Sequence, residues 1–517
     1  MSRAHPGARS TFVALALVTF ARVVAAQTTS ATNAGITAPS PAPLTVGAAV
    51  SLAVRQHPGP AEAAAAAAAA AEAVPLARAQ YLPRLDAVWQ VNRATRNNVF
   101  GLLLPQSVVP AISGPVLDDR SLSSVWGTAA GLLFSAEVFD FGRRSAGEAV
   151  ARARVDTADA EADVVRLDAG ERAADAFLTA LGALRLVDAS RANVTRLETL
   201  QRTVGALVDA DLRPGADRSR VDAELASARN RLLVDEQALA VSRLRLAAAT
   251  GNPEATPDLD AGPLLTRAPG GLAASAGAQS RALAAGAIDA PRSAGSGAPV
   301  PAATSGPDAT HPDLRAAAGA AAAAAAALTQ AERVYRPTIL LQGALSARAS
   351  GALVNGGIDN GEGLWPDVPN WAAGLTVTFP ILDAPAAHAR TRAQAAQVTA
   401  AQARRRAAEQ RVRTAALEAR IFADTATRMA ENTPVQLTAA RQSDAQARAR
   451  YEAGLAGITD VADAQRVLAQ ADADAALATL ALWRARLAIA AAAGDLSGFV
   501  AEAAAPTGAP IPARQER

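Results

Sequence analysis

The sequence predicts a mainly helical fold with a smaller β component, in which one set of elements occurs twice. Half of the 517 residues are hydrophobic, but only 3% are aromatic, and alanine supplies much of that half. Globular cores are filled chiefly by larger aliphatic and aromatic side chains, whereas alanine has the highest intrinsic helix propensity. The composition therefore indicates long helices that pack closely, more than a compact core.

An internal repeat is visible around two alanine tracts, each preceded by a His-Pro pair and followed by a Tyr-x-Pro sequence. The landmarks are His57-Pro58 and His311-Pro312, with Tyr81 and Pro83 matching Tyr335 and Pro337. Both sets recur after 254 residues (311 − 57 and 335 − 81). Two landmarks at one offset indicate a duplicated unit. Such a repeat means that both parts of the chain have the same arrangement of helices and strands.

Each copy continues with two strand-like segments, 82–99 and 125–141 in the first and 337–350 and 370–383 in the second. The last segment alternates most clearly. One face carries Trp371, Ala373, Leu375, Val377, Phe379 and Ile381, and the other carries Gly374, Thr376 and Thr378. This period of two fits a half-buried strand of a soluble hairpin and equally a barrel strand between lipid and lumen.

Long helices are predicted at 143–206 and 386–450, each on the order of 95 Å at about 1.5 Å per residue. A turn follows each, and second helices run to Gly251 and Gly494, an offset of 243 (494 − 251). The second helix of copy one carries a heptad seam of Leu225, Leu232, Leu239 and Leu246, which requires a partner helix. Pro434 is expected to kink or break the second long helix.

These boundaries divide the chain into five segments. Residues 1–26 read as a secretory signal peptide, because basic residues, an apolar run and small residues occur in that order. Residues 27–251 and 310–499 are the two copies. Residues 252–309 are expected to form a flexible linker rich in Ala, Gly and Pro, and 500–517 a disordered tail.

Composition also excludes several classes of function. The net charge is +2, with arginine but no lysine and no dense basic run, and there are no cysteines; disulfides, thiolate metal sites and a cysteine nucleophile are therefore excluded. The four histidines are scattered without metal spacing, and no nucleotide-binding or hydrolase motif is present. We expect no enzyme activity, no metal or cofactor and no nucleic-acid partner. Apart from the signal, no segment supplies 18 strongly apolar residues.

The ordered and duplicated set of elements resembles the TolC-like outer-membrane efflux protein family, or outer membrane factors, over 44–251 and 310–494. The two His-Pro pairs stand where the family opens each copy. Leu82-Pro83 matches the family's Leu-Pro, which becomes Arg336-Pro337 in copy two. The family's element before the long helix is similar to "VFDFG" with Asp140 and "ILDAP" with Asp383.

The resemblance implies a homotrimer in the outer membrane. Each chain would add four strands to a shared twelve-stranded transmembrane β-barrel, and its antiparallel coiled-coil helices would form a hollow α-barrel in the periplasm. It implies a passive exit duct in tripartite efflux or type I secretion, with a periplasmic adaptor (membrane fusion) protein and an inner-membrane transporter as partners. The alternative is an exported structural coiled-coil protein with a soluble β-hairpin layer.

The resemblance also implies a functional site at the periplasmic tip. Asp460 and Asp463 match aspartates that ring the closed end, and Tyr451 matches a gate tyrosine, while the gate arginine corresponds to Ala456. Gly454 and Leu455 match the tip that meets the adaptor, with Leu212 as the counterpart in copy one. Asp460 and Asp217 are alternatively explained as first-turn carboxylates stabilised by a helix dipole.

Overall fold

The computed structural model describes residues 43–95, 122–270, 310–352, 357–359 and 362–505. The elements of copy one are α1 (Val46–Gln56), α2 (Pro58–Ala71), α3 (Ala73–Ala79), β1 (Arg84–Thr95), β2 (Ser124–Phe139), α4 (Arg143–Asp209) and α5 (Gly215–Ala249). Those of copy two are α6 (Pro312–Arg333), β3 (Thr338–Ser350), β4 (Val368–Thr378), α7 (Ala384–Glu452) and α8 (Ile458–Ala492), and α9 (Ser497–Ala504) follows. The predicted order of helix, two strands, long helix and second helix is confirmed in both copies.

The histidines of the repeated His-Pro pairs are helix caps. His57 Nδ1 accepts a hydrogen bond from the Gly59 amide at 3.1 Å, and His311 Nδ1 accepts one from the Asp313 amide at 3.2 Å. Proline occupies the first position of both helices, where its missing N–H costs no hydrogen bond. The two alanine helices therefore begin in the same way.

Each copy closes on itself where its second helix ends. Gly251 and Gly494 end α5 and α8 with φ of +87° and +80°, a conformation that favours glycine. A Cβ on Gly251 would lie 2.8 Å from the backbone nitrogen of His57, and one on Gly494 would lie 2.8 Å from Pro312 Cδ. The first and last landmarks of each copy are thus in contact.

The four strands form one antiparallel sheet in the order β1-β2-β3-β4. Its exposed apolar face consists of Leu85, Trp89, Val91, Leu132, Leu345, Trp371, Leu375 and Val377. Its other face is mainly polar or small, with Asp86, Gln90, Asn92, Gln342, Ser346, Asn370 and Thr376. Trp89 and Trp371 are 73% and 80% exposed, so the described chain leaves the apolar face uncovered at these positions, although the 3₁₀ turn at 362–364 covers it at Thr128.

The predicted extent of the last strand is wrong. The strand was expected to reach residue 383, but β4 ends at Thr378, and Ile381–Asp383 forms a short 3₁₀ turn. Pro380 has no N–H to donate to a neighbouring strand, which ends the ladder there. Phe379 and Ile381 therefore lie beyond the sheet, although both side chains remain exposed.

The central helical core lies where both copies meet. Trp483 of α8 and Phe177 of α4 are fully buried there, together with Phe499 of α9. Trp483 Nε1 donates to the Arg267 carbonyl at 3.0 Å. By length and composition α8 is also the one described helix apolar enough to cross a membrane, contrary to the expectation that no segment apart from the signal supplies 18 strongly apolar residues. Its packing against α4 and α7 places it within the helical bundle.

Two predicted boundaries need correction at this core. Residues 252–270 were assigned to the linker. However, Leu264 is buried, and Leu259 forms an isolated parallel β-bridge with Leu44. Residues 500–504 were assigned to the tail but belong to α9, which Phe499 anchors. Burial of these apolar side chains orders the two segments, although their Ala/Gly/Pro-rich composition predicts flexibility. The predicted signal peptide, 271–309 and 506–517 lie outside the described residues.

Pro434 was expected to kink or break the second long helix, and the break is wrong, because α7 runs without interruption from Ala384 to Glu452. Ala426, Thr433 and Ala440 lie seven residues apart and are all buried, so the seam of α7 passes continuously beside the proline. Thr433 Oγ1 donates to the Met429 carbonyl at 2.7 Å. Packing along this seam offsets the hydrogen bond that proline cannot make.

Candidate functional site at the helical tip

Two turns form the end of the helical bundle that lies farthest from the sheet. After α4, the Leu212 amide donates to the Leu207 carbonyl and the Asp211 amide to the Val208 carbonyl, both at 2.9 Å. After α7, the Leu455 amide donates to the Arg450 carbonyl at 2.8 Å, in the same relationship. Both turns are therefore Schellman motifs, which satisfy the last carbonyls of a helix.

The left-handed residue of this motif differs between the copies. Gly454 has a φ of +77°, and Asp211 holds the same position with a φ of +59°. Aspartate is among the few residues with a side chain that tolerate this region. Copy one thus departs from the expected Gly-Leu in sequence but keeps its backbone conformation.

Both turns present a leucine to solvent. Leu212 is 69% exposed and Leu455 is 72% exposed, and each follows the left-handed residue of its turn. An exposed leucine alone carries little meaning, but here the same position is apolar and exposed in both copies. The tip thus offers two matched apolar points of contact.

Tyr451 is the centre of a polar network that joins the two copies just above these turns. Its side chain is 2% exposed and packs with Val204, Val221 and Ile458. Its hydroxyl donates to Asp217 Oδ2 at 2.9 Å. The Arg213 guanidinium lies 4.3 Å from the centre of the Tyr451 ring and donates to the Tyr451 carbonyl. The tyrosine from copy two is therefore held by an acid and a cation from copy one.

Sequence reasoning missed Arg213 and gave Asp217 only a capping role. Asp217 does lie in the first turn of α5, but its carboxylate accepts the phenol. The repeat held the signal for Arg213, because adding the offset of 243 to 213 gives 456, the position of Ala456. The cation absent from copy two is present at the equivalent position of copy one.

The environment of Tyr451 keeps its phenol protonated. Burial, the hydrogen bond to Asp217 and the negative charge of that carboxylate raise the pKa of Tyr451 to about 12, against the opposing effect of Arg213. The neutral phenol is the form that donates to a carboxylate. The hydrogen bond is therefore present throughout the neutral pH range.

Asp460 and Asp463 lie one turn apart at the start of α8, and both are exposed. Gly457, not Asp460, is the N-cap residue of α8, so Asp460 lies within the first turn near the positive end of the helix dipole. Asp463 Oδ1 pairs with Arg466 Nη1 at 3.0 Å, and Arg466 Nη2 also reaches Glu224 at 3.0 Å. The two aspartates therefore differ, because within the described part of the chain Asp463 forms an ion pair and Asp460 does not.

Among the residues that the structure describes, no group of three or more His, Asp and Glu side chains is arranged to hold a metal ion. The chemistry available at the tip is that of hydrogen bonds, fixed charges and apolar contacts. Such groups can hold a passage shut or bind another protein.

Two features define the class of protein. One end of the chain carries a sheet with an uncovered apolar face, and a helical bundle about 100 Å long, at about 1.5 Å per residue for the 67 residues of α4, extends from it. A sheet with an apolar outer face is typical of a membrane barrel, so the architecture is that of an outer-membrane channel subunit. The sequence matches the family described as outer membrane efflux protein over residues 49–252 and 308–495. The chain belongs to this family of outer-membrane efflux channels, whose helices form a periplasmic tunnel, and it is not an enzyme.

Solved structures share the fold at low sequence identity. The outer membrane protein VceC from Vibrio cholerae is 17% identical with a TM-score of 0.65, covering 87% of this chain and 96% of that chain. CusC, described in connection with transmembrane channel formation, is 15% identical with a TM-score of 0.69, covering 87% and 92%. The open state of the Neisseria gonorrhoeae MtrE outer membrane channel is 19% identical with a TM-score of 0.63, covering 87% and 89%. No curated protein matches the sequence.

Proposed function

We propose that the chain is the passive exit duct of a tripartite efflux or type I secretion assembly and acts as a homotrimer. The sheet carries this proposal, because its two edge strands, β1 and β4, have no partner strand in the described part of the chain. An open sheet edge in lipid leaves backbone groups unsatisfied at a cost of several kcal/mol each. Three copies would close a barrel of twelve strands without a free edge.

The orientation of the sheet supports the same proposal. The apolar face would meet lipid, and the polar face with Gln90, Ser346 and Asn370 would line the lumen. The alternative of a soluble hairpin layer does not fit, because a soluble protein rarely leaves a continuous apolar face of this kind uncovered. Family membership also disfavours it.

The tip would serve for docking and for closure. Leu212, Gly454 and Leu455 would meet a periplasmic adaptor, which would connect the duct to an energised transporter in the inner membrane. Apolar anchors at the centre of an interface commonly dominate its affinity. Both leucines are exposed in the single chain, as docking requires.

Closure of the duct would depend on the network around Tyr451. The bond from Tyr451 to Asp217, with Arg213 against the ring, holds the α7–α8 hairpin against the α4–α5 hairpin. Opening the tip would require these hairpins to move apart. Asp460 and Asp463 from three chains would place six carboxylates around the narrow end, which would favour cations there.

The first test is assembly and conduction. The chain is expressed with residues 1–26 in a Gram-negative host, and the outer-membrane fraction is extracted with detergent. We expect a trimer that is stable without heating, a mature chain beginning at residue 27 and channels in planar bilayers. A monomer in the periplasm or medium would refute the duct. A trimer that conducts no ions, even when Tyr451→Phe removes the hydrogen bond expected to hold the tip closed, would refute the proposal that the trimer is a channel.

A further inference from the structure

A cleft of about 490 Å³ lies where α8 ends and α6 begins, and we call it the junction cleft. Its walls are α4 and α7, and the first turn of α6 and the last turns of α8 lie between them. The α8 side carries Ala488, Ala491 and Ala492, which share one face of the helix because they are three and four residues apart. The cleft is open because α8 presents only small side chains there. Its volume is within the range of about 300–1,000 Å³ that small-molecule sites have.

Three carboxylates from three different helices line the junction cleft. They are Glu171 of α4, Asp313 of α6 and Glu418 of α7. None of them forms a salt bridge with a residue that the structure describes, and neither does Arg411, which lies on the same helix as Glu418. Asp168 also lines the cleft, but it is paired with Arg172 at 2.6 Å. The cleft therefore has an excess of unpaired negative charge.

The surroundings of Glu171 show the effect of this charge. Burial raises the pKa of the Glu171 carboxyl, and the negative charges of Asp168 and Asp175 raise it further, against the opposing effect of Arg172. A positive charge bound in the cleft would offset the repulsion between these carboxylates and replace part of the lost hydration. The electrostatics of the cleft thus favour a cationic ligand.

His311 supplies a second and independent observation, an unpartnered donor. Its side chain lines the cleft and is only 5% exposed. Because Nδ1 accepts a hydrogen bond from the Asp313 amide, the neutral ring carries its proton on Nε2. No residue of the described chain bonds Nε2. Leaving a buried donor without a partner is costly, so a ligand that brings an oxygen acceptor is favoured at this point.

The length of the cleft favours an elongated, amphipathic ligand. Arg411 and Phe422 are the first and last residues of α7 that line it, and eleven residues (422 − 411) span about 16 Å at about 1.5 Å per residue. Phe422 also lines a neighbouring apolar cavity of about 400 Å³, together with Leu477 and Met429. One end of the cleft is therefore charged, and the other end opens towards apolar side chains.

The internal repeat indicates that packing alone does not require this arrangement. The equivalents of Glu171, Asp313 and Ala488 are Thr414, Gly59 and Arg245 (171 + 243, 313 − 254 and 488 − 243). Two of the three acids thus have no acidic counterpart, and an arginine replaces one of the alanines that leave the cleft open. The duplicated fold forms without these features, so they are specific to this one junction.

We propose that the junction cleft is a binding site for an amphipathic organic amine that carries an oxygen acceptor. Glu171 and Glu418 bind the ammonium, His311 Nε2 donates to the oxygen, and the apolar part of the ligand lies against Phe422. This inference rests on the proposed function only for the route by which the amine reaches the cleft.

The position of the cleft on α8 defines that route. Trp483 packs against Phe499 of α9 with ring centres 6.1 Å apart, in the core that α1 and α9 form beside the long helices. Ala492 follows Trp483 by nine residues (492 − 483), which at about 100° per residue is the opposite side of α8. Passage through a tunnel requires the layer of α1 and α9 to lie outside it. The cleft then opens to the lumen, where an exported amine passes.

Propranolol is a suitable probe, because it has a naphthyl ring, ether and hydroxyl oxygens and a secondary ammonium. The purified full chain is placed in lipid nanodiscs, and binding is measured by isothermal titration calorimetry, with empty nanodiscs as the blank. We expect saturable binding of one propranolol per chain. The matched control ligand is 1-naphthoxyacetate, which keeps the ring and ether but has a carboxylate in place of the ammonium, and it is expected not to bind.

Variants locate the binding. Glu171→Gln and Glu418→Gln should each weaken propranolol binding roughly 10-fold or more, since each removes a charge-assisted hydrogen bond. Ala488→Leu should abolish binding, because it fills the cleft and leaves the charges in place. Glu161→Gln is the matched control, since Glu161 is an exposed residue of α4 that does not line the cleft. It should bind propranolol as the parent does.

The outcomes separate this inference from the proposed function. Absence of saturable binding, equal affinity for 1-naphthoxyacetate, or an equal loss in Glu161→Gln would each overturn the site. A conducting trimer that binds no propranolol overturns the site and leaves the duct intact. Saturable binding to a chain that forms no conducting trimer refutes the duct and leaves the site. If Ala488→Leu does not fold, the measurements on Glu171→Gln and Glu418→Gln still decide.

Discussion

The hydroxyl of Tyr451 lies 2.9 Å from Asp217 Oδ2, although 234 positions separate the two residues and they belong to different copies of the repeat. This bond connects the start of α5 to the end of α7. With Arg213 stacked on the same ring at 4.3 Å, three side chains hold two helical hairpins together at the point where the duct is expected to close.

Removing the phenol oxygen is expected to favour the open tip. A hydrogen bond to a charged group contributes about 1.5–3 kcal/mol, so Tyr451→Phe should shift the closed-to-open equilibrium roughly 10- to 100-fold towards open. Single-channel recording measures this as a higher open probability. Tyr335→Phe, at the far end of the bundle, is the control and should leave gating unchanged. An unaltered open probability in Tyr451→Phe would remove this bond from the gate.

The raised pKa of Tyr451 predicts an alkaline limit to closure. The folded-state pKa of about 12 lies above the ordinary value of 10.0, so the folded tip retains its proton where the unfolded chain loses it. The stabilisation is fully present below pH 10 and is lost as the pH rises towards 12. Ultraviolet titration of the purified protein should show one of the three tyrosines ionising late, and Tyr451→Phe should abolish that step. A titration unchanged in Tyr451→Phe contradicts this assignment.

The two aspartates of α8 should contribute unequally to ion selectivity. Because Arg466 lies 3.0 Å from Asp463, it offsets the charge of that residue, whereas Asp460 forms no ion pair with any residue that the structure describes. Asp460→Asn should therefore reduce the cation preference more than Asp463→Asn does. Arg466→Ala should increase it. Reversal potentials in asymmetric salt give these preferences, and equal values for all three variants and the parent would refute the carboxylate ring.

The exposed leucines should matter for docking and not for the channel itself. Burying one leucine contributes about 1.5–3 kcal/mol, so Leu212→Ser and Leu455→Ser should each weaken adaptor binding roughly 10- to 100-fold. Binding of the purified adaptor to the trimer is measured by interferometry. Trimer stability and conductance should not change. Full adaptor affinity in the double variant would place docking elsewhere.

Three glycines with positive φ should differ in their response to alanine. At Gly454 the nearest atom to an added Cβ is 3.9 Å away, so Gly454→Ala carries mainly the backbone penalty of about 1–2 kcal/mol. Gly251→Ala and Gly494→Ala add contacts under 3 Å with the start of their own copy, and overpacking costs about 1–3 kcal/mol more. Thermal melting should rank Gly454→Ala as the mildest. If Gly454→Ala lowered the melting temperature more than Gly251→Ala and Gly494→Ala, the close packing of Gly251 and Gly494 against the start of their copies would be contradicted.

Local periodicity accounts for the part of the fold that the sequence predicts. Alternation fixes the exposed face of β4, and the heptad of Leu225 and Leu246 marks the α5 seam that packs against α4. The predictions fail where tertiary contacts determine the local structure. Pro434 stays within α7 because neighbouring seam residues are buried. Leu264 is held in place by a core that includes Trp483. Neither effect has a signature within a few residues of sequence.

The candidate site was predictable in position but not in its contacts. The tip residues follow from the turn signals and the resemblance, and those that the structure describes lie together at one end of the bundle. The partner of Tyr451 depends on how two hairpins meet, so it required coordinates. Arg213 was accessible in principle through the offset that maps it to Ala456.

The contact of His57 with Gly251, and of His311 with Gly494, makes each copy a closed loop of chain whose two ends lie side by side. Units with adjoining ends are the ones that tolerate being separated or reordered. The peptide linkage between the copies then mainly ensures that every assembly contains the two copies in equal numbers, and the fold of each copy does not depend on it. Two genes, one for each half, should be able to encode the same tunnel, with six polypeptides in place of three.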